Sequence, residues 1–283
     1  MKRLLLYTIK SILTNPGIIG WGVLFVLFWD VAGAYLQAPS FIHQLPSSLQ
    51  QFPSVEHSIY LQYTSTWYAS LVILSLSSVA IGVAYLLYYQ TGTLPYLIRY
   101  SKLTITTYFT SLYSGNLIAS LILELLLTAA AILMFSHNGL GIAVTPSNIG
   151  VIILAIVLAS IFIISFSIFL NLLAIKLHAF RLQNLLNFIP SILGFLAFAM
   201  FAFTTLTSPI AYYSNPYMTA EILLYDGFSG NFEFYTANSE ITLHLSLGLL
   251  TLSAIAWIVI LNVVNYILAR RIHYASIEEG RTM

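Results

Sequence analysis

Residues 148–175 read NIGVIILAIVLASIFIISFSIFLNLLAI, a run without a single charged side chain. About 20 apolar residues cross the hydrocarbon core of a bilayer as a helix. In lipid every backbone polar group has to be satisfied within the segment itself, which a helix achieves. The stretch therefore reads as a transmembrane helix and sets the class of the chain. Further runs of the same character lie on either side of it: Gly17 to Leu36, Trp67 to Gln90, Tyr113 to Phe135, Leu185 to Leu206 and Ile241 to Leu268. Composition agrees, since 59% of the 283 residues are hydrophobic and 7% are charged, against about 25% charged in a soluble domain. So little charge excludes a soluble enzyme, a nucleic-acid-binding protein and a disordered chain. With no cysteine, disulfides, iron–sulfur clusters and thiolate metal sites are excluded too. The expectation is an all-α, polytopic integral membrane protein with six transmembrane helices in a single domain over residues 1–283.

Charge gives the orientation. Lys2, Arg3 and Lys10 precede the first span, Arg99 and Lys102 follow the second, Lys176 and Arg181 the fourth, and Arg270, Arg271 and Arg281 the sixth. Those are all ten basic residues, and an even number of spans puts them on one side. The opposite side has Glu56, Glu221, Asp226, Glu233 and Glu240. The positive-inside rule makes the basic side cytoplasmic, with both termini inside. Trp67 and Tyr68 are expected at the outer membrane surface, and Tyr88, Tyr89, Tyr113 and Tyr266 at the inner one. Lys2, Arg3 and the apolar run ending in Ala32-Gly33-Ala34 have features of a secretory leader. Asp30 and the long stretch before Pro16 argue instead for a retained span.

Outside the spans, residues 1–15 form an amphipathic pattern. Leu5, Leu6, Ile9, Ile12 and Leu13 oppose Arg3, Tyr7, Lys10 and Thr14, as in a helix lying in the membrane interface. Residues 37–66 and 207–240 read as outer loops, the second with a short helix from Met218 to Leu224 that dips into the interface. The inner loop 91–112 carries the strongest functional signal. Thr93 can cap a new helix with Pro95 in its first turn. Leu94, Leu97, Ile98, Arg99 and Lys102 then make a short amphipathic helix, suited to docking a soluble partner or lipid headgroups.

Enzyme motifs are weak. Gly227-Phe228-Ser229-Gly230 with His244 resembles the nucleophile and base of rhomboid intramembrane proteases, but polar loop residues follow it, and a Gly/Ser turn is the simpler reading. The histidines are dispersed, and there is neither a metal-ligating spacing nor a phosphate-binding loop, so no catalytic or metal residues are assigned. Ionisable residues inside the spans are a default functional hypothesis. Glu124 falls mid-span and Asp30 towards the outer end of the first span, with no basic residue inside any span to pair with them. Glu124 is expected to be uncharged, as interhelical glue or as part of a polar path. Asn262 and Asn265 read as glue. Phe195 and Phe198, with other phenylalanines of the fifth span, read as packing or as the lining of a pathway.

This layout resembles the permease subunit of ABC transporters of the type-2 exporter class. Gly92-Thr93-Leu94 is similar to the family's E-x-G-T-L signature, with Gln90 in place of the acidic residue. Tyr100-Ser101-Lys102-Leu103 stands where the family has P-[IV]-S-R. Asn215-Pro216, followed by Thr219 and Glu221, resembles the NP segment between the last two spans, and Arg181-Leu182-Gln183 is a weaker match. The resemblance implies a half-transporter in the plasma membrane. A second permease subunit, identical or different, would complete it, and spans two and five would line the dimer interface. The chain itself would bind no cofactor. ATP and Mg would bind a separate ATP-binding subunit, docked on a coupling helix made of Gly92, Thr93, Leu94, Leu97, Ile98, Arg99 and Lys102. The alternatives are an intramembrane enzyme, disfavoured by the missing catalytic constellation, and an ATP-independent secondary transporter or membrane scaffold, disfavoured by the missing internal repeat.

Overall fold

A computed structural model describes residues 2–46, 52–91, 104–177, 183–203, 208–236, 239–242 and 244–271. Helix α1 is Lys2–Leu13, and α2 is the continuous helix Ile18–Gln44. Then come α3 (Pro53–Thr91), α4 (Ile105–Ser136), α5 (Ile149–Lys176) and α6 (Gln183–Phe203). Two short helices follow, α7 (Pro209–Ser214) and α8 (Pro216–Ser229). An antiparallel hairpin of β1 (Glu233–Thr236) and β2 (Ser239–Thr242) leads to the last helix, α9 (Leu247–Arg271). Among the described residues five helices are long and apolar enough to cross a membrane: Ile18–Gln44, Pro53–Ala84, Thr107–Ser136, Ile149–Lys176 and Leu247–Ala269. The segment expected as the fifth span is a shorter apolar helix, Leu185–Phe201. This is a polytopic helical membrane protein.

Local chemistry sets the helix ends. The Asn148 side chain accepts the Val151 N–H at 3.2 Å and caps α5, whose last turn carries Lys176 against the negative end of its dipole. Thr104 caps α4 in the same way, accepting the Thr107 N–H at 3.1 Å. Asn215 caps α8 through the Tyr217 N–H at 3.0 Å, with Pro216 in the first turn, where its missing N–H costs nothing. Gly230 ends α8 with a left-handed φ of 82°.

Helix α3 is the axis of the bundle, and from Ile59 to Ala84 it has no exposed side chain. Helices α2, α4, α5, α6 and α8 all pack against it. Close approaches depend on small residues. A Cβ at Gly194 of α6 would collide with the Ser77 hydroxyl of α3, and one at Gly115 of α4 would come within 2.7 Å of Thr8 Cβ on α1. An aromatic cluster fills the space between α2, α3 and α6. Trp67 stacks on Trp29 with centroids 6.4 Å apart, and Phe198 lies 5.9 Å from Trp29 and 6.2 Å from Trp67.

Several expectations are corrected. Most of 37–66 is helical rather than loop. The first membrane helix runs on to Gln44 and the second begins at Pro53, leaving only 45–52 between them. Within 207–240 the short helix is longer than Met218 to Leu224, and it is buried in the bundle. The last long helix starts at Leu247 rather than Ile241, because 239–242 are the second strand of the hairpin. Trp67 and Tyr68 are core residues rather than a surface belt. Tyr113 turns inward to hydrogen-bond Asn262, whereas Tyr266 is exposed. Residues 59–84 of α3 are enclosed by the chain's own helices. Exposed apolar residues lie instead along α6, at Leu185, Phe188, Ile192 and Phe195.

Contacts also place the two ends of the bundle. At one end Asn138 donates to the Ala34 carbonyl at 2.8 Å, His57 pairs with the Ala143 carbonyl at 3.0 Å, and the Asn148 N–H donates to the Gly227 carbonyl at 2.8 Å. This is the end of Glu56 and Asp226. At the other, α1 packs on the start of α4, and Ile12 shares a cluster with Tyr108 and Ile168. Lys2, Arg3, Lys10 and Lys176 lie at that end.

Candidate functional site

The polar residues buried in the bundle fall into three groups around α3, α5 and α8. The first joins α3 to α4. Ser75 Oγ donates to Glu124 Oε1 at 2.8 Å. One turn on, Thr128 Oγ1 donates to the Glu124 carbonyl at 2.6 Å and also pairs with the Tyr68 hydroxyl at 2.9 Å. Glu124 is fully buried, and its Oε2 has no hydrogen-bond partner among the described residues. Asp30, on α2, is 2% exposed, and its Oδ1 is equally without a partner. Asp30 also sits between two stretches of α2 wound as π-helix, Ile18–Leu24 and Ala32–Gln37. Such winding is rare and is found frequently at functional sites. A carboxyl buried in a bundle at such cost is retained for a reason, either to tie helices together or to handle a polar species.

The second group ties α4, α5 and α9. The Tyr113 hydroxyl donates to Asn262 Oδ1 at 2.8 Å, Asn262 Nδ2 donates to Ser165 Oγ at 2.9 Å, and Asn265 Nδ2 donates to the Ser165 carbonyl at 2.8 Å. The two asparagines are three apart on one helix face and meet one serine across the interface. This is the interhelical glue that their spacing suggested.

The third group was not legible as a site in advance. Helix α8 enters the bundle behind its Asn215-Pro216 cap and is almost wholly buried against α3, α5, α6 and α9. Thr219 Oγ1 donates to the Asn215 carbonyl at 3.0 Å and closes the first turn. The Tyr217 hydroxyl donates to the Pro190 carbonyl on α6 at 3.2 Å. Glu221 then faces inward with neither oxygen hydrogen-bonded among the described residues. Burial pushes its carboxyl well above the usual range. Burial, and then the nearby Glu221, raise the Tyr212 hydroxyl to about 12. The sequence signal was present in the NP segment, but Glu221 looked like an acid of an outer loop.

The remaining candidates are not gathered with these. Phe198 belongs to the tryptophan cluster, while Phe195 is 46% exposed on the surface of α6. Gly92, Thr93, Leu94, Leu97, Ile98, Arg99 and Lys102 lie outside the described residues. Ser229 Oγ lies 2.8 Å from the Tyr225 carbonyl and 2.9 Å from the Asn231 carbonyl, so its one proton is donated to backbone at the helix end. Among the described residues no group of three or more His, Asp or Glu side chains is placed to hold a metal. No family model, curated protein or solved structure matches this chain.

Proposed function

We propose that this chain is the permease half of an ATP-driven exporter of the type-2 ABC class. In this reading it has six membrane crossings, with α6 as the short fifth, and both termini in the cytoplasm. It sits in the plasma membrane and works with a second permease subunit and a separate ATP-binding subunit. The observation that carries the reading is the α7–α8 pair. A capped Asn-Pro start sends a short helix into the bundle between the last two long helices, where the family has its NP segment. The amphipathic α1 at the basic end, and the Gly92-Thr93-Leu94-Pro95 sequence that follows α3, support the same layout. A second copy would meet the exposed apolar face of α6. The ATP-binding subunit would dock on residues 92–102, where Leu94, Leu97 and Ile98 supply apolar contact and Arg99 and Lys102 orient it.

The test is purification of the tagged full chain from its native membranes in mild detergent. A nucleotide-binding subunit with a Walker A motif is expected to come with it in stoichiometric amount. Its absence would defeat the reading. A second reading, an ion-coupled carrier independent of ATP, is favoured by Asp30, Glu124 and Glu221, buried acids with no basic partner among the described residues. Solute movement driven by an ion gradient without ATP would select it.

A further inference from the structure

We infer that the exposed face of α1 is a binding site for anionic phospholipid headgroups. Helix α1 has two faces with different fates. Thr8 and Ile12 are buried, and Leu5 and Thr8 ride against Gly115 of α4. This seat fixes the rotation of α1 about its axis. At 100° per residue, Arg3, Tyr7 and Lys10 then form one stripe on the opposite side, and Leu6, expected on the apolar face, is exposed along its edge. All four are exposed, and Lys2 flanks them, exposed as well. Leu6 is 53% and Tyr7 57% exposed, which a purely aqueous surface would not favour between cations.

The composition of the stripe identifies its occupant. Three cations, a tyrosine and a leucine on one fixed face suit the boundary between headgroups and acyl chains, where lysine and arginine stems lie along apolar surface and their charged ends reach phosphate. No acidic residue occurs before Asp30, so nothing in the first 29 residues neutralises the charge. Lys176, at the same end, is exposed too. The stripe also adjoins a lipid-facing surface. After the short turn at 14–17, α2 exposes Trp21, Leu24 and Phe28, the outward face of a membrane helix. In the chain the cationic stripe ends at Lys10, and the exposed apolar residues of α2 begin with Ile19 and Trp21. Neutral lipid would satisfy Leu6 and Tyr7 but not the three charges. An anionic surface satisfies both, and each cation close to one is worth a factor of about five in association.

The chain has no cysteine of its own, so Thr14→Cys places one fluorophore beside the stripe. The labelled full-length protein is reconstituted in phosphatidylcholine vesicles containing a small fraction of brominated lipid. Brominated phosphatidylglycerol is expected to quench the probe more than brominated phosphatidylcholine at the same fraction. High salt should shrink the difference, and Lys2→Gln, Arg3→Gln and Lys10→Gln together should abolish it. Equal quenching by the two lipids in the protein with its cations intact would overturn the assignment. So would a preference that survives the triple substitution. The salt titration uses the unsubstituted stripe, so it remains decisive if the triple variant does not fold.

Discussion

The carboxyl of Glu221 shows how one buried residue couples stability to pH. Its folded-state proton affinity is raised by burial, with no partner among the described residues to hold the charged form. An acid raised in the folded state favours folding below its unfolded pKa, about 4.3. That stability is lost as pH rises from there through the folded value, at about 1.4 kcal/mol per pH unit. Glu221→Gln keeps the shape and removes the titration. The thermal midpoint of the variant is expected to fall less steeply with rising pH than that of the parent. Identical slopes would mean that Glu221 finds a charged or hydrated partner. Glu124 differs, because Ser75 already donates to it. Glu124→Gln retains that acceptor and is expected to give a folded, monodisperse protein. Ser75→Ala leaves a buried oxygen unmet and should cost about 1–3 kcal/mol in a denaturation measurement. A cost near zero for Ser75→Ala would remove the α3–α4 bond from the account.

At the scale of elements, packing at small residues and capping of the short helix carry the fold. Gly194→Ala places a methyl against Ser77, so α6 must move off α3, at an expected cost of about 1–3 kcal/mol. Asn215→Ala removes the cap of α8 and is expected to cost about 1 kcal/mol. Both are read as shifts of the thermal midpoint in the same detergent, and a Gly194→Ala protein as stable as the parent would contradict the close approach. The elements legible in the sequence were those whose signal is local. Helix α5 follows an uninterrupted apolar run with a capping asparagine before it and a lysine at its end. The helices through 38–44 and 53–66 were missed because their reasons are not local. Pro39 follows the π-wound stretch Ala32–Gln37, where a missing N–H is tolerated. Tyr60 is polar yet buried, since Asn138 and the Phe135 carbonyl reach it from the far end of α4, and Thr64 is buried with its hydroxyl on the Tyr60 carbonyl. Of the site, Glu124 and the Asn262–Asn265 pair stood out as polar residues within apolar runs. Tyr68, Thr128 and Ser75 did not, because only the pairing of α3 with α4 brings them together.

Across the whole molecule, helix length and charge define the membrane frame. The 39 residues of α3 extend roughly 58 Å at 1.5 Å each, well beyond a hydrocarbon core of about 30 Å. The helix is therefore longer than one crossing needs, and Glu56 and His57 stand at its N-terminal end. Single cysteines test the sidedness in this cysteine-free chain. Ser54→Cys and Thr145→Cys, exposed at the acidic end, are expected to react with an impermeant thiol reagent added outside intact cells, and Thr14→Cys only after lysis. Labelling of Thr14→Cys in intact cells would invert the topology.

The proposed function turns on one step, in which force would reach this bundle from an ATP-binding partner through residues 92–102. The most direct measurement is ATP turnover in proteoliposomes holding the chain with its copurified ATP-binding subunit. Leu97→Asp would bury a charge in the contact, which costs several kcal/mol. Turnover stimulated by the permease is expected to fall by about tenfold or more, or the ATP-binding subunit to dissociate, while the permease stays inserted. Arg99→Glu with Lys102→Glu should act in the same direction. Full turnover with the partner retained in both variants would contradict the claim.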